Sequence, residues 1–297
     1  MAEITLLDGG MGQELVRRSG DAPTALWSTQ VMRDHPGLVQ AIHADFFASG
    51  ATIATTNTYA LHHDRVSGTP CEGHMDELFA CALREAKGAR DQHGSGRIAG
   101  AIGPLRASYR PDLHPESSMA VPLFAEGVAR LAPECDLLIF ETVASLAQAR
   151  DALESARDAG KPVWLAMTVN DEDGTCLRSG EPVADVLPIA ASGAAALLIN
   201  CSSPEAITTA LHQIKDISLP FGAYANGFEQ ISAGFLEDKP TVDALKVRRD
   251  FTPETYADHV MGWVKLGATI VGGCCEVGPA HIAEIARRLT GAGHSIV

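Results

Sequence analysis

Short runs of continuous apolar residues alternate along the chain with longer stretches in which apolar positions recur every three or four residues. The first pattern reads as strand, the second as helix. Strands are expected at 4–10, 52–58, 97–103, 137–143, 163–169, 195–202, 221–227 and 268–274. Helices are expected at 37–49, 74–93, 119–132, 146–159, 183–192, 204–215, 253–266 and 279–290. The strand runs are apolar along most of their length, as strands covered on both faces must be. Two helix starts carry their own signal: Ser203-Pro204-Glu205 and Thr252-Pro253-Glu254. Each places a capping hydroxyl before a proline at the first helical position and an acid in the first turn.

Strand followed by helix, repeated through 297 residues, predicts an α/β protein with a (β/α)8 TIM barrel, one domain spanning 1–297. A doubly wound open sheet is the other way to arrange the same units. Two long connections, 107–118 after the third strand and 228–251 after the seventh, lie on the side where barrel enzymes place their substrates. Both are candidate lids.

Composition narrows the function. Hydrophobic residues make up 46% and charged residues 20%, which is ordinary for a soluble globular protein, and no run approaches the roughly 18 apolar residues of a membrane span. The N-terminal segment Met1–Asp8 lacks the basic and apolar regions of a secretion signal, so a cytoplasmic location is expected. There, an odd set of 7 cysteines favours thiols or metal ligands over disulfides. A net charge of −14 excludes a basic stripe for nucleic acid and suits a cationic small substrate.

Chemistry-bearing residues gather at the predicted strand ends. They are Asp8, Asn57, Glu141, Cys201, Tyr224, Asn226 and the adjacent pair Cys274-Cys275. Gly272 and Gly273 permit a sharp turn before the pair, so both sulfurs can face one point instead of opposite sides of a strand. Cys201 ends a similar run, and three thiolates converging there would hold Zn2+ with a fourth position open. A vicinal disulfide is the competing use of the pair. Asp8 before Gly9-Gly10 also reads as a simple turn residue. The pair His62-His63 reads as a solvated loop pair.

These segments together resemble the zinc-dependent homocysteine S-methyltransferase family. The resemblance runs through Leu7-Asp8-Gly9-Gly10-Met11-Gly12, Ala25-Leu26-Trp27-Ser28, Thr56-Asn57-Thr58-Tyr59, Ile102-Gly103-Pro104 and Phe140-Glu141-Thr142. It continues through Asn200-Cys201-Ser202, Tyr224-Ala225-Asn226 and Gly272-Gly273-Cys274-Cys275. It implies Cys201, Cys274 and Cys275 as zinc ligands. It also implies that Asp8 and Glu141 hold the amino group of homocysteine, with amides around Gly9 and Gly10 for its carboxylate.

The implied reaction moves a methyl group from an onium donor, S-methylmethionine or S-adenosylmethionine first and betaine or another onium second, to homocysteine, giving methionine. Trp27, Tyr59, Tyr109 and Tyr224 are candidate aromatic walls for the cationic donor. The chain departs from the family pattern at Glu276, where many members have glycine, and at Val143-Ala144-Ser145, where a proline-containing run is usual. A zinc- or redox-sensing barrel without catalysis is the reading from another class.

Overall fold

A computed structural model describes residues 1–21, 26–231 and 245–297. Nine strands are present among them: β1 (Glu3–Leu6), β2 (Ile53–Thr55), β3 (Arg97–Ile102), β4 (Leu137–Val143), β5 (Val163–Met167), β6 (Ala196–Asn200), β7 (Phe221–Tyr224), β8 (Ile270–Val271) and β9 (Ser295–Ile296). They form one sheet in the order β2-β3-β4-β5-β6-β7-β8-β1-β9, parallel at each pairing. The helices are α1 (Met11–Ser19), α2 (Trp27–Asp34), α3 (Leu38–Ala48), α4 (His63–Val66), α5 (Met75–His93) and α6 (Ser117–Leu131). After them come α7 (Leu146–Ser155), α8 (Leu187–Gly193), α9 (Pro204–Ile214), α10 (Pro253–Lys265) and α11 (Pro279–Gly291).

The nine-stranded parallel sheet is curled. On the edge of β1 away from β8, the Ile4 carbonyl accepts from Val297 N–H at 2.9 Å and the Leu6 carbonyl from Thr52 N–H at 2.7 Å. A parallel bridge then joins Leu7 to Ile53. β9 and β2 thus share one edge of β1, in succession.

Side chains alternate across a strand, and the sheet has a separate core on each face. Leu138, Phe140, Leu165, Leu197 and Ile199 join the large apolar cluster that the helices complete. Leu137, Ile139, Trp164, Ala166, Ala196 and Leu198 form a smaller cluster on the other face with Leu7, Ile53, Tyr224 and Ile270. Each of the eight expected strands appears, most of them a few residues shorter at the carboxyl end than the apolar runs.

The capping signals act as read. Ser203 Oγ accepts from Ala206 N–H, and Thr252 forms a capping box with Thr255. Ser145, in the stretch that departs from the family pattern, caps α7 by accepting from Gln148 N–H, so that helix starts cleanly without proline. No helix among the described residues is long and apolar enough to cross a membrane. Of the expected lids, 228–251 falls largely outside the described residues.

Candidate active site

The alternation that builds the inner core also aims the site. Two residues beyond Ile139 in β4 comes Glu141, and two beyond Ile53 in β2 comes Thr55. Inner-face periodicity thus carries past the apolar layer into a cavity of about 720 Å³ at the carboxyl ends of the strands. Asp8, one residue past the bridging Leu7, lines the same space and is 2% exposed. Its two carboxylate oxygens accept from Thr55, Oδ2 from the amide and Oδ1 from the hydroxyl, both at 2.8 Å.

The loop after β1 and the loop after β8 are pressed together, and glycine makes this possible. A Cβ on Gly9 would stand 2.1 Å from the Val277 carbonyl oxygen, and one on Gly273 would stand 2.0 Å from the Val277 side chain. Gly10 N–H donates to the Val277 carbonyl at 2.9 Å, and Gly273 N–H to the Asp8 carbonyl at 3.0 Å. The Gly10 amide expected to receive a substrate carboxylate is therefore spent on the loop contact. These glycines bring the cysteine pair against Asp8.

Backbone bonds then place the sulfurs. Cys201 N–H donates to the Tyr224 carbonyl at 3.1 Å, Cys274 N–H to the Ala225 carbonyl at 2.9 Å, and the Cys275 carbonyl accepts from Gly227 at 2.9 Å. Cys201 itself sits at φ 49, a left-handed conformation that costs about 1–2 kcal/mol in a non-glycine residue. The Sγ atoms of Cys201, Cys274 and Cys275 lie within 4.8 Å of one another. Cys201 and Cys274 are joined as a disulfide, with Cα atoms 5.7 Å apart. The vicinal Cys274-Cys275 pairing does not form, and the three sulfurs stand close enough together to ligate one metal ion. Burial pushes the remaining Cys275 thiol up to about 11, against a lowering bond from Gln13.

Glu141 accepts from the Tyr224 hydroxyl at 3.0 Å. Burial raises its carboxyl to about 7, the Tyr224 bond pulls the other way, and nearby Asp8 adds to the rise. Thr142 behind it is held at φ 60 by Asn200, which receives its amide at 3.0 Å and donates to its hydroxyl at 3.2 Å. Tyr59 and Tyr109 line the cavity, Tyr59 bonded to Ser108 at 2.7 Å.

Most of the residues expected from the sequence therefore meet: Asp8, Gly9, Gly10, Asn57, Tyr59, Tyr109, Glu141, Cys201, Tyr224, Cys274 and Cys275 all line the cavity. Asn226 does not line it. It is buried beside the site, where its Oδ1 accepts from Phe228 N–H. The Trp27 side chain and Ala25 lie outside the described residues. His62 is corrected too: it is 3% exposed, bonded to the Gly103 carbonyl, and burial lowers it to about 4. Sequence reasoning missed Thr55, Gln13, Arg65 and Arg106 at the cavity. The period-two step from Ile53 was the available signal for Thr55.

A family model described as homocysteine S-methyltransferase matches residues 5–289. The chain belongs to that family. It is 29% identical to the Escherichia coli homocysteine S-methyltransferase, over 96% of this chain and 95% of that one. It is 26% identical to a selenocysteine methyltransferase of Astragalus bisulcatus, over 96% and 92%. The solved structure of the homocysteine methyltransferase MmuM from Escherichia coli, in its metallated form, superposes with a TM-score of 0.81 at 26% identity, over 96% of both chains. The oxidized form gives the same TM-score.

Proposed function

We propose that this member of the family transfers a methyl group from a cationic onium donor to the sulfur of homocysteine, using zinc held by Cys201, Cys274 and Cys275. The observation that carries the reading is the convergence of three sulfurs with two carboxylates, Asp8 and Glu141, in one cavity. The fold that serves it is a (β/α)8 barrel of one domain, supported by the Leu7 to Ile53 bridge.

The donor set suits the ion. Thiolates are preferred zinc ligands, and three of them leave one position for a substrate. With no cation, the Cys275 thiol stays protonated, and a divalent ion reverses that preference. Zinc bound there supplies the positive charge that favours a substrate thiolate over the thiol at neutral pH.

The protein's own groups do the rest. Asp8, fixed by Thr55, and Glu141, fixed by Tyr224, hold the substrate ammonium from two sides. An arriving ammonium favours the ionised form of Glu141. Tyr59 and Tyr109 offer ring faces to the donor cation. Arg65 and Arg106 at the cavity wall suit a carboxylate on the donor, as S-methylmethionine and S-adenosylmethionine both carry.

In the transfer, the acceptor sulfur forms the new S–CH3 bond and the donor C–S bond breaks, its electron pair staying on the donor sulfur. The acceptor's thiol proton goes to solvent. Holding both reactants in line contributes up to ~7–11 kcal/mol. The thiols work reduced, which fits a cytoplasmic setting.

A donor panel tests the proposal: reduced, zinc-loaded protein with homocysteine and, in turn, S-methylmethionine, S-adenosylmethionine, betaine and a sulfoniopropionate. Methionine from one of the first two is expected, with turnover abolished by chelation and cut more than ~100-fold by Cys275→Ala. Methionine from none of the donors overturns it. X-ray absorption at the zinc edge addresses the sensing alternative, which predicts a first shell unchanged by homocysteine.

A further inference from the structure

His43 stands on the buried face of α3 with its side chain 0% exposed, and neither ring nitrogen has a hydrogen-bond partner. A neutral imidazole carries one N–H, and leaving a buried donor unpaired costs about 1–3 kcal/mol. Such a group in a native core needs a reason. Its Nδ1 is 3.6 Å from Asp8 Oδ2, just beyond a hydrogen bond.

Asp8 has room for the contact. A carboxylate offers about four lone-pair sites, and Thr55 occupies one on each oxygen. The two bonds from Thr55 approach from β2, His43 approaches from α3, and the cavity takes what remains. α3 also bears on the loop that carries Asp8, because Phe46, one turn after His43, contacts the place a Cβ on Gly9 would occupy. A shift of a few tenths of an ångström in that loop closes the gap.

We infer that His43 is a positioning residue for Asp8: its Nδ1–H backs the carboxylate and holds it on the ammonium of the methyl acceptor. The inference rests on the proposed binding of that ammonium by Asp8. A second donor on Oδ2 fixes the carboxylate plane, so both oxygens keep their aim when the substrate arrives. The imidazole does not touch the reacting atoms. Its loss weakens acceptor binding and leaves the chemical step intact.

The test compares His43→Leu, His43→Asn and His43→Gln in steady-state assays on the zinc-loaded enzyme. Asparagine places an N–H near the position of Nδ1, whereas glutamine reaches toward Nε2. His43→Leu and His43→Gln are expected to raise the KM for homocysteine about tenfold, the value of one hydrogen bond to a charged group. Donor KM and kcat stay within about twofold, and His43→Asn keeps the wild-type KM. If His43→Leu does not fold, the Asn and Gln pair alone decides. An unchanged homocysteine KM in His43→Gln, or an equal rise in Asn and Gln, overturns the inference while wild-type turnover still upholds the function. A wild-type enzyme silent toward homocysteine overturns both.

Discussion

Phe140 and Glu141 are neighbours in β4 and serve opposite faces of the sheet. Phe140 is 0% exposed, set edge-on to Phe124 of α6 with ring centres 5.5 Å apart. Glu141 opens into the cavity, with Tyr224 as its partner. On the outer face apolar side chains continue to the end of the strand and meet helices. On the inner face the apolar layer stops at Ile139, and polar residues take over one step later. The difference teaches that the inner core is a platform whose upper layer was given to chemistry, while the outer core carries the stability.

Strain is divided the same way. Arg106, Tyr109, Thr142, Cys201 and Glu276 are the non-glycine residues with positive φ among those described. Four of them line the cavity, and the fifth follows Cys275. Strain of this kind persists where the surroundings over-determine it, typically at sites.

The comparison breaks most visibly if the outer face is cut. Phe140→Ala removes a buried ring between β4 and α6 and is expected to cost about 3–5 kcal/mol. Chemical unfolding measures this. The homocysteine KM of the folded fraction should stay at the wild-type value. A large change in KM with little loss of stability would mean that the faces are not separable.

Cutting the inner face should do the reverse. Glu141→Gln removes one of the two charges proposed to hold the substrate ammonium and is expected to raise homocysteine KM by about tenfold or more, with stability held or increased. The pH dependence gives the sign. Below about 7 the Glu141 carboxyl of the free protein is protonated, so homocysteine KM should rise as pH falls below 7 and level off near the value for Glu141→Gln.

In the free protein the native state keeps a proton that the unfolded chain has lost above about 4.5. Stability therefore falls as pH rises from about 4.5 to about 7, and Glu141→Gln flattens that segment. Asp8, Tyr224 and Cys275 surround the same group, so the variant identifies the titrating residue. A pH profile identical in wild type and variant would assign the titration elsewhere.

The two faces also differ in how far the sequence revealed them. The β4 run at 137–143 matches the observed Leu137–Val143 residue for residue, because apolar periodicity is a local property. The β1 run at 4–10 shortens to Glu3–Leu6 because Asp8, Gly9 and Gly10 leave the ladder to meet the cysteine loop. The helix α1 lay hidden behind that glycine segment, and the two-residue β9 is too short to carry a period. Three cysteines could be assigned to one site from their strand ends. The Thr55 bonds to Asp8, 47 residues apart, and the Asn200 brace on Thr142, 58 apart, could not, since such pairings between strands leave no mark in the local apolar pattern. Asn226 shared the strand-end pattern and is buried beside the cavity, its Oδ1 taken by Phe228 N–H, a local contact that the pattern does not reveal.

The smallest effect sharpens the account of strain. Glu276 follows the cysteine pair at φ 67, and a non-glycine residue in that region loses about 1–2 kcal/mol. Burial raises its carboxyl as well, while Arg17 lowers it and Glu14 raises it. Glycine at this position avoids the Cβ cost but gives back about 0.5–1 kcal/mol through a freer unfolded chain. Glu276→Gly is therefore expected to gain about 0.5–1 kcal/mol in denaturant unfolding, with the zinc content and homocysteine KM unchanged. A loss of bound zinc in that variant would show that the glutamate side chain helps hold the cysteine loop. The strain at 276 would then be part of the site's construction, as it is at Cys201.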